Sequence, residues 1–321
     1  MLVRSELQAL REDDGPQRRA QADLGRALAA WRDSRIGTGI ERSIRSFAQG
    51  EALDNLPPLA RLFCPGDNSA QRLAEEFIGK FTGLLRANHW GQVPLPTKLE
   101  DATATIVLAA AGNAALLLQA IDGQALRRKR PGVTASFSPG ETHDRVIAGR
   151  GRGRLFDIAA ETTTGDELAS THLELAPGTI SQRDGAHQSL LIDEADTTLV
   201  ILRLQRRPAC GTVTRELRIS DGAFVHQAAA NPRESRFELA AALLGRMGRS
   251  DAAPLLAAMA EEHGGQSLRW QALRECLGLD TNAGFAALSR IAARDGDELA
   301  APALALRAQL LAAHPVLGKA G

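Results

Sequence analysis

Tyrosine is absent from this 321-residue chain, and lysine occurs only at positions 80, 98, 129 and 319. Almost all basic residues are therefore arginine, and alanine is abundant, a bias that points to a GC-rich bacterial genome. The 38 basic and 38 acidic side chains cancel. Net charge consequently gives no argument for a nucleic-acid or membrane partner, and any such argument has to rest on a local cluster.

Cysteine is also scarce. Cys64, Cys210 and Cys276 are isolated from one another, and none belongs to a Cys-x-x-Cys pair. An odd, scattered set argues against a disulfide framework and fits a reducing compartment. The first residues carry charges where a signal peptide requires an apolar run. We therefore expect a cytoplasmic protein.

Long apolar segments are few, and the clearest of them lacks the character of a membrane span. Residues 102–121 carry no charge, but Gly112, Asn113 and Gln119 interrupt the segment. A β-hairpin that turns at Gly-Asn explains this pattern better than a transmembrane helix does. We expect no membrane partner.

Signatures of nucleophilic catalysis are missing too. The chain has no Gly-x-Ser-x-Gly motif, which positions the serine of many hydrolases. Cys210 falls in a predicted loop and Cys276 on the apolar face of a predicted helix, so both are interpreted as structural. The residues alone leave open whether the protein is an enzyme.

Residues 1–98 have the pattern of a helical region. Leu24, Leu28 and Trp31 recur at helical spacing, and a later segment repeats the pattern with Leu73 and Phe77. Such stripes are typical of the core-facing side of amphipathic helices. We interpret them as packing residues.

Residues 99–230 predict about ten short strands, separated by turns rich in glycine, proline and aspartate. In one of them Leu173 and Leu175 face one way, while His172 and Glu174 face the other. No crossover helix fits between the strands, so the sheet should be mainly antiparallel and form a barrel or sandwich. A closed or sandwiched sheet is also where a concave pocket is expected.

The segment from His172 to Gly178, His-Leu-Glu-Leu-Ala-Pro-Gly, resembles the strand and Pro-Gly turn common in the cupin family of small jelly-roll barrels. The resemblance covers roughly 100 residues and implies a cupin-like β domain. Cupin metal sites usually carry a His-x-His pair followed by glutamate. This chain has no His-x-His pair, so it departs from the cupin metal motif at that point.

The cupin resemblance implies a set of metal ligands. Cupin iron or manganese sites combine several histidines with a carboxylate and leave coordination positions open for substrate or oxygen. The residues available for iron, manganese or zinc are His143, His172, Glu174 and His187, with Glu141 and His226 nearby in the sequence. Solvent contact on an exposed sheet face explains His172 and Glu174 equally well.

A positive region lies in the same part of the chain. Residues 127–130 are Arg-Arg-Lys-Arg, and residues 149–154 alternate glycine and arginine in a predicted turn. Alternate glycines let backbone N–H groups face an anion, and arginine binds phosphate or carboxylate with two parallel bonds. The expected ligand-binding residues are Arg128, Arg150, Arg152 and Arg154. The alternative is a hairpin turn made soluble by arginine.

This positive region does not predict a nucleotide or nucleic-acid site. The glycine spacing differs from the dinucleotide-binding fingerprint, and no strand-loop-helix context surrounds it. No aromatic residues are interleaved with the arginines, so stacking platforms for bases are missing and nucleic acid is not expected as a partner.

Residues 231–321 are rich in alanine and leucine, with apolar positions that recur every 31 residues. The two clearest series are Phe237, Leu268, Leu299 and Ala241, Ala272, Ala303. A unit of this length built from two helices resembles the HEAT-like repeats of α-solenoids. Helices are predicted at about 234–247, 251–262, 267–277, 282–293 and 297–313. The repeat is interpreted as a docking surface or as a helical buttress or dimer contact.

The sequence thus predicts an α+β fold in three parts: a helical region at 1–98, a cupin-like β domain at 99–230, and a HEAT-like domain at 231–321. Two functions stay open. One is a non-catalytic binding or regulatory protein whose β domain holds a small anionic ligand or a partner. The other is a metal-dependent cupin-type enzyme, such as an oxygenase, and the missing paired histidines favour the first. Ligand identity and a homodimeric state are left open.

Overall fold

The computed structural model describes residues 13–162, 165–208, 213–229, 232–262 and 264–319. Within them the chain is a mixed α+β protein with ten α-helices and twelve β-strands. It divides into two compact units. The first contains Met1–Arg207 with Leu217–Ala223, and the second contains Pro208–Glu216 with Phe224–Gly321.

Helices dominate the start of the first unit, as the apolar spacing predicts. They are α1 (Gly15–Arg32), α2 (Arg35–Ala48), α3 (Pro57–Ala60) and α4 (Ser69–Ala87). Ser34 caps α2, because its hydroxyl accepts a hydrogen bond from the Gly37 N–H at 3.1 Å. Leu24 and Trp31 of α1, and Phe77 of α4, are buried. The predicted stripes are therefore core residues.

Twelve strands follow, with one short helix, α5 (Gly123–Arg128), between the third and fourth. The strands are β1 (Thr97–Leu99), β2 (Thr103–Ala111), β3 (Ala114–Asp122), β4 (Thr134–Phe137), β5 (Glu141–Ala148), β6 (Gly151–Thr162), β7 (Gly165–Leu175), β8 (Ile180–Asp184), β9 (Gln188–Ala195), β10 (Thr198–Arg206), β11 (Val213–Arg218) and β12 (Phe224–Ala229). Strands β2 and β3 form the hairpin predicted at Gly112. The sequence prediction missed β1 and β8.

The largest sheet has the order β1-β2-β3-β10-β5-β8, and all of its neighbouring pairs are antiparallel. A second sheet has the order β7-β6-β9 and is also antiparallel. A third has the order β12-β11-β4. The mainly antiparallel arrangement agrees with the sequence prediction.

Helices of the first unit cover one face of the six-stranded sheet. Leu202 and Leu204 of β10 belong to one buried cluster with Phe47 and Phe77 of the helices. Arg145 of β5 ties the segment between α3 and α4 to the same face. Its guanidinium donates to the backbone carbonyls of Leu62 (3.2 Å), Cys64 (2.9 Å) and Asp67.

The opposite face of the six-stranded sheet packs against the sheet β7-β6-β9, which makes a β-sandwich. Val146 of β5 and Ile201 of β10 lie in one buried cluster with Leu175 of β7 and Ala195 of β9. Because side chains alternate along a strand, β10 sends Leu202 and its even-numbered neighbours to the helices and the odd-numbered residues into the sandwich.

The second unit contains five helices within the described residues. They are α6 (Pro232–Arg246), α7 (Ala253–Glu261), α8 (Gln266–Leu279), α9 (Thr281–Ala292) and α10 (Ala300–Ala313), close to the predicted ranges. Ala241, Ala272 and Ala303, which the 31-residue spacing relates, are all buried in one cluster. No helix in the described part of the chain combines the length and apolar character needed to cross a membrane.

Candidate functional site

His143, the first predicted metal ligand, lies on the helix-facing side of β5 and is buried. Its Nε2 atom is 2.6 Å from Oε1 of Glu141. The imidazole ring also packs edge-on against Phe47 and at a tilt against Phe63, with centroid separations of 6.5 and 5.9 Å. The residue therefore belongs to the packing between helices and sheet.

The other predicted metal ligands lie elsewhere. His172 and Glu174 are exposed on β7, in a different sheet from His143, and His187 is exposed in the turn before β9. Nδ1 of His187 is 2.9 Å from Asp184. Among the residues that the structure describes, no three or more His, Cys, Asp or Glu side chains form a group that could hold a metal ion. The metal interpretation stays a prediction, with no ligand cluster to support it in that part of the chain.

The predicted anion-binding arginines lie on or beside β6, apart from Arg128 at the end of α5. Arg152 and Arg154 are in the strand and not in the predicted turn. Gly151 is required there, because a Cβ atom at this position would lie 2.4 Å from the carbonyl oxygen of Glu194 in β9. The alternate glycines thus allow close approach of two strands, which the sequence does not distinguish from an anion-binding loop.

Two of these arginines already have acidic partners. Arg152 donates to Glu194 at 2.5 Å, and Arg154 makes two hydrogen bonds to Asp193, at 2.9 and 2.7 Å. A small cavity of about 270 Å³ is lined by Arg150 and Arg152 together with three carboxylates, those of Glu174, Glu194 and Asp196. The carboxylates outnumber the guanidinium groups, so this place does not attract an anion electrostatically.

A different cavity, of about 290 Å³, has a strongly basic lining. It is bounded by β4, β5, β8, β9 and β10 at one end of the sandwich. Four arginines and one glutamate supply its charges: Arg183, Arg203, Arg206, Arg207 and Glu141. The strand registers build this lining, because Gln205 of β10 pairs with Thr142 of β5, which pairs with Arg183 of β8.

Asp144 anchors this basic lining from within the sandwich. Its carboxylate accepts hydrogen bonds from Arg183 at 2.7 Å and from Arg203 at 2.6 and 2.8 Å. Burial opposes ionisation of Asp144, but the two guanidinium groups outweigh it and hold the pKa of the carboxyl below its ordinary value. The two guanidinium groups carry two positive charges and the carboxylate neutralises one of them, so the cluster has a net positive charge.

Arg206 also lines the cavity, but its positive charge is neutralised by an ion pair within the protein. Its guanidinium donates to Glu141 at 2.6 Å and to the carbonyls of Phe47 and Glu51 at 2.7 and 2.9 Å. It also lies over the Phe47 ring, 4.1 Å from the centroid. These contacts are structural, because they join the C-terminal end of β10 to α2 and the residues that follow it.

Arg207 is different. Its side chain makes no hydrogen bond or ion pair with any described residue, and none of residues 209–212 is acidic. Burial lowers the pKa of Arg207, and the nearby charge of Arg203 lowers it further. The side chains of Thr142 and Gln205 are half-buried in the same lining and also lack partners among the described residues. The cavity therefore offers hydrogen-bond donors and an uncompensated positive charge.

Sequence reasoning missed these arginines, although a signal was present. The predicted strand that became β10 carries Arg203 and Gln205 between apolar neighbours. A central strand buried on both faces is expected to be apolar throughout. Polar residues at alternate positions of such a strand indicate that one side of it lines a polar interior.

A larger cavity, of about 930 Å³, lies in the second unit. Its walls are mostly apolar and include Trp270, Leu273 and Leu306, and Arg274 is the charged residue on them. It has no set of converging polar groups like that of the smaller cavity. The arginine-lined cavity is the better candidate for specific recognition of a charged ligand.

No protein-family model and no curated protein matches this chain. Similar solved structures include the cumin domain of Drosophila melanogaster CENP-C, with 12% identity over 35% of this chain and 72% of that chain, at a TM-score of 0.27. Ectoine synthase from P. lautus has 14% identity over 35% and 69%, at 0.24. FeII HppE has 11% identity over 35% and 56%, at 0.26. These TM-scores are low, so the likenesses give no information on function.

Proposed function

We propose that this chain is a non-catalytic binding protein whose β-sandwich holds a small anionic ligand in the arginine-lined cavity. The observation that carries the proposal is Arg207, a partly buried guanidinium that lacks an acidic partner among the described residues. A buried charge without a partner is costly, and an anion would remove that cost.

The charge of the cavity suits a ligand with one or two negative charges. Four guanidinium groups face two carboxylates, those of Glu141 and Asp144, which leaves an excess of positive charge. Gln205 and Thr142 add neutral donors that do not discriminate between carboxylate and phosphate oxygens. A volume of about 290 Å³ is at the small end for ligand sites, so the ligand is small.

The lining favours binding over catalysis. The described residues of the lining include no histidine or cysteine, and Glu141 is the carboxylate among them. Glu141 is held by Arg206 and lies next to His143, so it is not poised to exchange a proton with a ligand. Within the described part of the chain, the residues around the cavity offer recognition groups without a nucleophile beside a base.

Within this proposal, the sandwich is a cupin-like domain and the second unit is a short HEAT-like repeat. The common burial of Ala241, Ala272 and Ala303 supports the repeat, because small residues at equivalent positions let paired helices approach. A helical buttress or a dimer contact is the role that fits so short an array. Localisation in the cytoplasm belongs to the same proposal.

Titration calorimetry with inorganic phosphate and malonate tests the proposal, because these are minimal phosphate and dicarboxylate probes. We expect at least one of them to bind saturably with one site per chain. Arg207→Gln should weaken that binding at least tenfold, because it removes the uncompensated charge.

Arg152→Gln is the matched control, since Arg152 is an exposed arginine that is paired with Glu194. It should leave the affinity unchanged. Absence of saturable binding in the wild-type protein, or an equal loss in both variants, would count against the cavity. If only Arg152→Gln lowered the affinity, the anion would instead bind at the glycine-arginine segment.

A further inference from the structure

The helical layer of the first unit contains a groove of about 730 Å³ that is separate from the sandwich cavity. Helices α2 and α4 and the segment from α3 to residue 62 form its walls. The apolar part includes Ile36, Pro57, Pro58 and Leu62, and Ile36 is 44% exposed. This part is large enough to bury a short hydrocarbon chain.

The charged part of the groove is mainly basic. Arg35, Arg61 and Arg72 line it, and Glu76 is the carboxylate among its lining residues. Arg35 and Arg61 make no side-chain hydrogen bond or ion pair with the described residues, and Arg72 reaches only the hydroxyl of Ser69, at 3.5 Å. These guanidinium groups are therefore free to bind an anion.

Asp67 reduces the positive charge near the groove without removing it. Hydrogen bonds with Ser69 are the main reason that the pKa of Asp67 is lowered, and the charges of Arg61 and Arg72 lower it further. Asp67 is not among the lining residues. Three guanidinium groups thus face the carboxylate of Glu76 on the walls and that of Asp67 outside the lining, which leaves the groove positive.

We propose that this groove binds an amphipathic phosphate, that is, a short alkyl or acyl chain that ends in a phosphate group. The apolar walls contact the alkyl or acyl chain, and the arginines bind the phosphate. Its two negative charges and several oxygens can pair with more than one guanidinium group. Charge complementarity selects this occupant over an uncharged lipid. The groove is open to solvent beside Ile36, which gives the chain a way in.

The test uses octyl phosphate as the probe and the Arg207→Gln variant as the protein, because this change weakens anion binding in the sandwich cavity. Calorimetry should show saturable binding with one site per chain. Hexyl phosphate, with two fewer methylene groups, should bind roughly tenfold more weakly. 1-Octanol and inorganic phosphate should each bind far more weakly than octyl phosphate.

Matched variants locate the site. The double change Arg35→Gln with Arg61→Gln should weaken octyl phosphate at least tenfold, whereas Arg42→Gln, an exposed arginine of α2 outside the groove, should not. Ile36→Ser should weaken binding, whereas Ile78→Ser should not. Ile78 is 43% exposed on α4 and does not line the groove.

Three outcomes would overturn the proposal. One is no binding of octyl phosphate, and another is binding that the Arg35 and Arg61 changes leave intact. The third is a dimer that Ile36→Ser dissociates while octyl phosphate has no effect, which would assign the groove to a second copy of the chain. Failure here leaves the anion site of the sandwich untouched, because the two sites share no lining residue.

Discussion

The buried carboxylate of Asp144 decides the chemistry of the sandwich interior. It is 4% exposed and faces two guanidinium groups, those of Arg183 and Arg203. Such a cluster is costly to desolvate and stays favourable only while every charge has a partner. Arg207 extends the cluster beyond what Asp144 can neutralise. An anion in the cavity would neutralise the positive charge that Asp144 leaves unpaired.

The first stability prediction concerns Asp144. We expect Asp144→Asn to lower the free energy of unfolding by about 3–5 kcal/mol, since it leaves the buried Arg183 and the half-buried Arg203 beside a neutral amide. Bound phosphate should also raise the melting temperature more in this variant than in the wild-type protein, because it would supply the missing negative charge. Urea denaturation with and without phosphate measures both effects.

Glu194→Gln serves as the control for this prediction. It breaks the exposed pair with Arg152 and should change stability by no more than about 1 kcal/mol. Equal effects of the two substitutions, or an Asp144→Asn protein as stable as the wild type, would show that the buried cluster does not contribute as described.

The sequence predicts a strand at residues 198–205, which lies between turns and includes Arg203. It does not predict which residues this strand meets. Asp144 contacts Arg183 across 39 residues and Arg203 across 59, and such pairings depend on strand order and register. Basic residues that are dense in the sequence predict a different place, where Arg152 and Arg154 have acidic partners on β9.

At the scale of elements, an ion pair fixes the helices of the second unit. Arg269 of α8 donates to Asp297, before α10, at 2.9 and 2.6 Å, and to the carbonyl of Ala260 in α7 at 3.0 Å. The hydrogen bonds from Arg269 are the main reason that the pKa of Asp297 falls from 3.8 to about 2. One side chain thus joins three helical segments.

This lowered pKa predicts a pH dependence. A carboxyl whose pKa is lower in the folded than in the unfolded state adds stability above its unfolded value of 3.8, and that stability is lost as the pH falls towards about 2. We expect Asp297→Asn to cost about 3 kcal/mol above roughly pH 5, and progressively less between about pH 4 and 2. Denaturation by urea across this pH range measures the difference.

Asp251→Asn is the control, because Asp251 is an exposed partner of Arg249. Its effect should be small at every pH. A difference between wild type and Asp297→Asn that stays constant down to about pH 2 would contradict the assigned cause of the pKa shift.

Elements are the scale at which the sequence was most informative. Helices α6 to α10 fall close to their predicted ranges, and the β2–β3 hairpin turns where Gly112 and Asn113 predict it. Periodicities of 3.6 and 2 residues depend only on nearby residues, so they predict helices and strands without knowledge of the fold. Strand β8 was missed because its residues, Ile-Ser-Gln-Arg-Asp, are mainly polar. Arg183 lies in this strand and faces the polar interior.

For the whole molecule, the sequence predicts a central antiparallel β region with helices before and after it, and the structure agrees at that level. The expected pocket in the sandwich is also present, but its interior is mixed. One part is the apolar cluster around Val146 and Ile201, and the other is the arginine-lined cavity. Composition alone does not predict a basic cavity beside an apolar cluster, because the acidic and basic residues of the whole chain cancel.

A crystal structure of the protein grown with saturating phosphate or malonate would show whether an anion occupies the sandwich cavity. We expect density for the anion inside the cavity, with an oxygen about 3 Å from the Arg207 guanidinium and a second contact to Gln205 or Thr142. An empty cavity under those conditions, or an anion bound only at Arg150 and Arg152, would contradict the proposal.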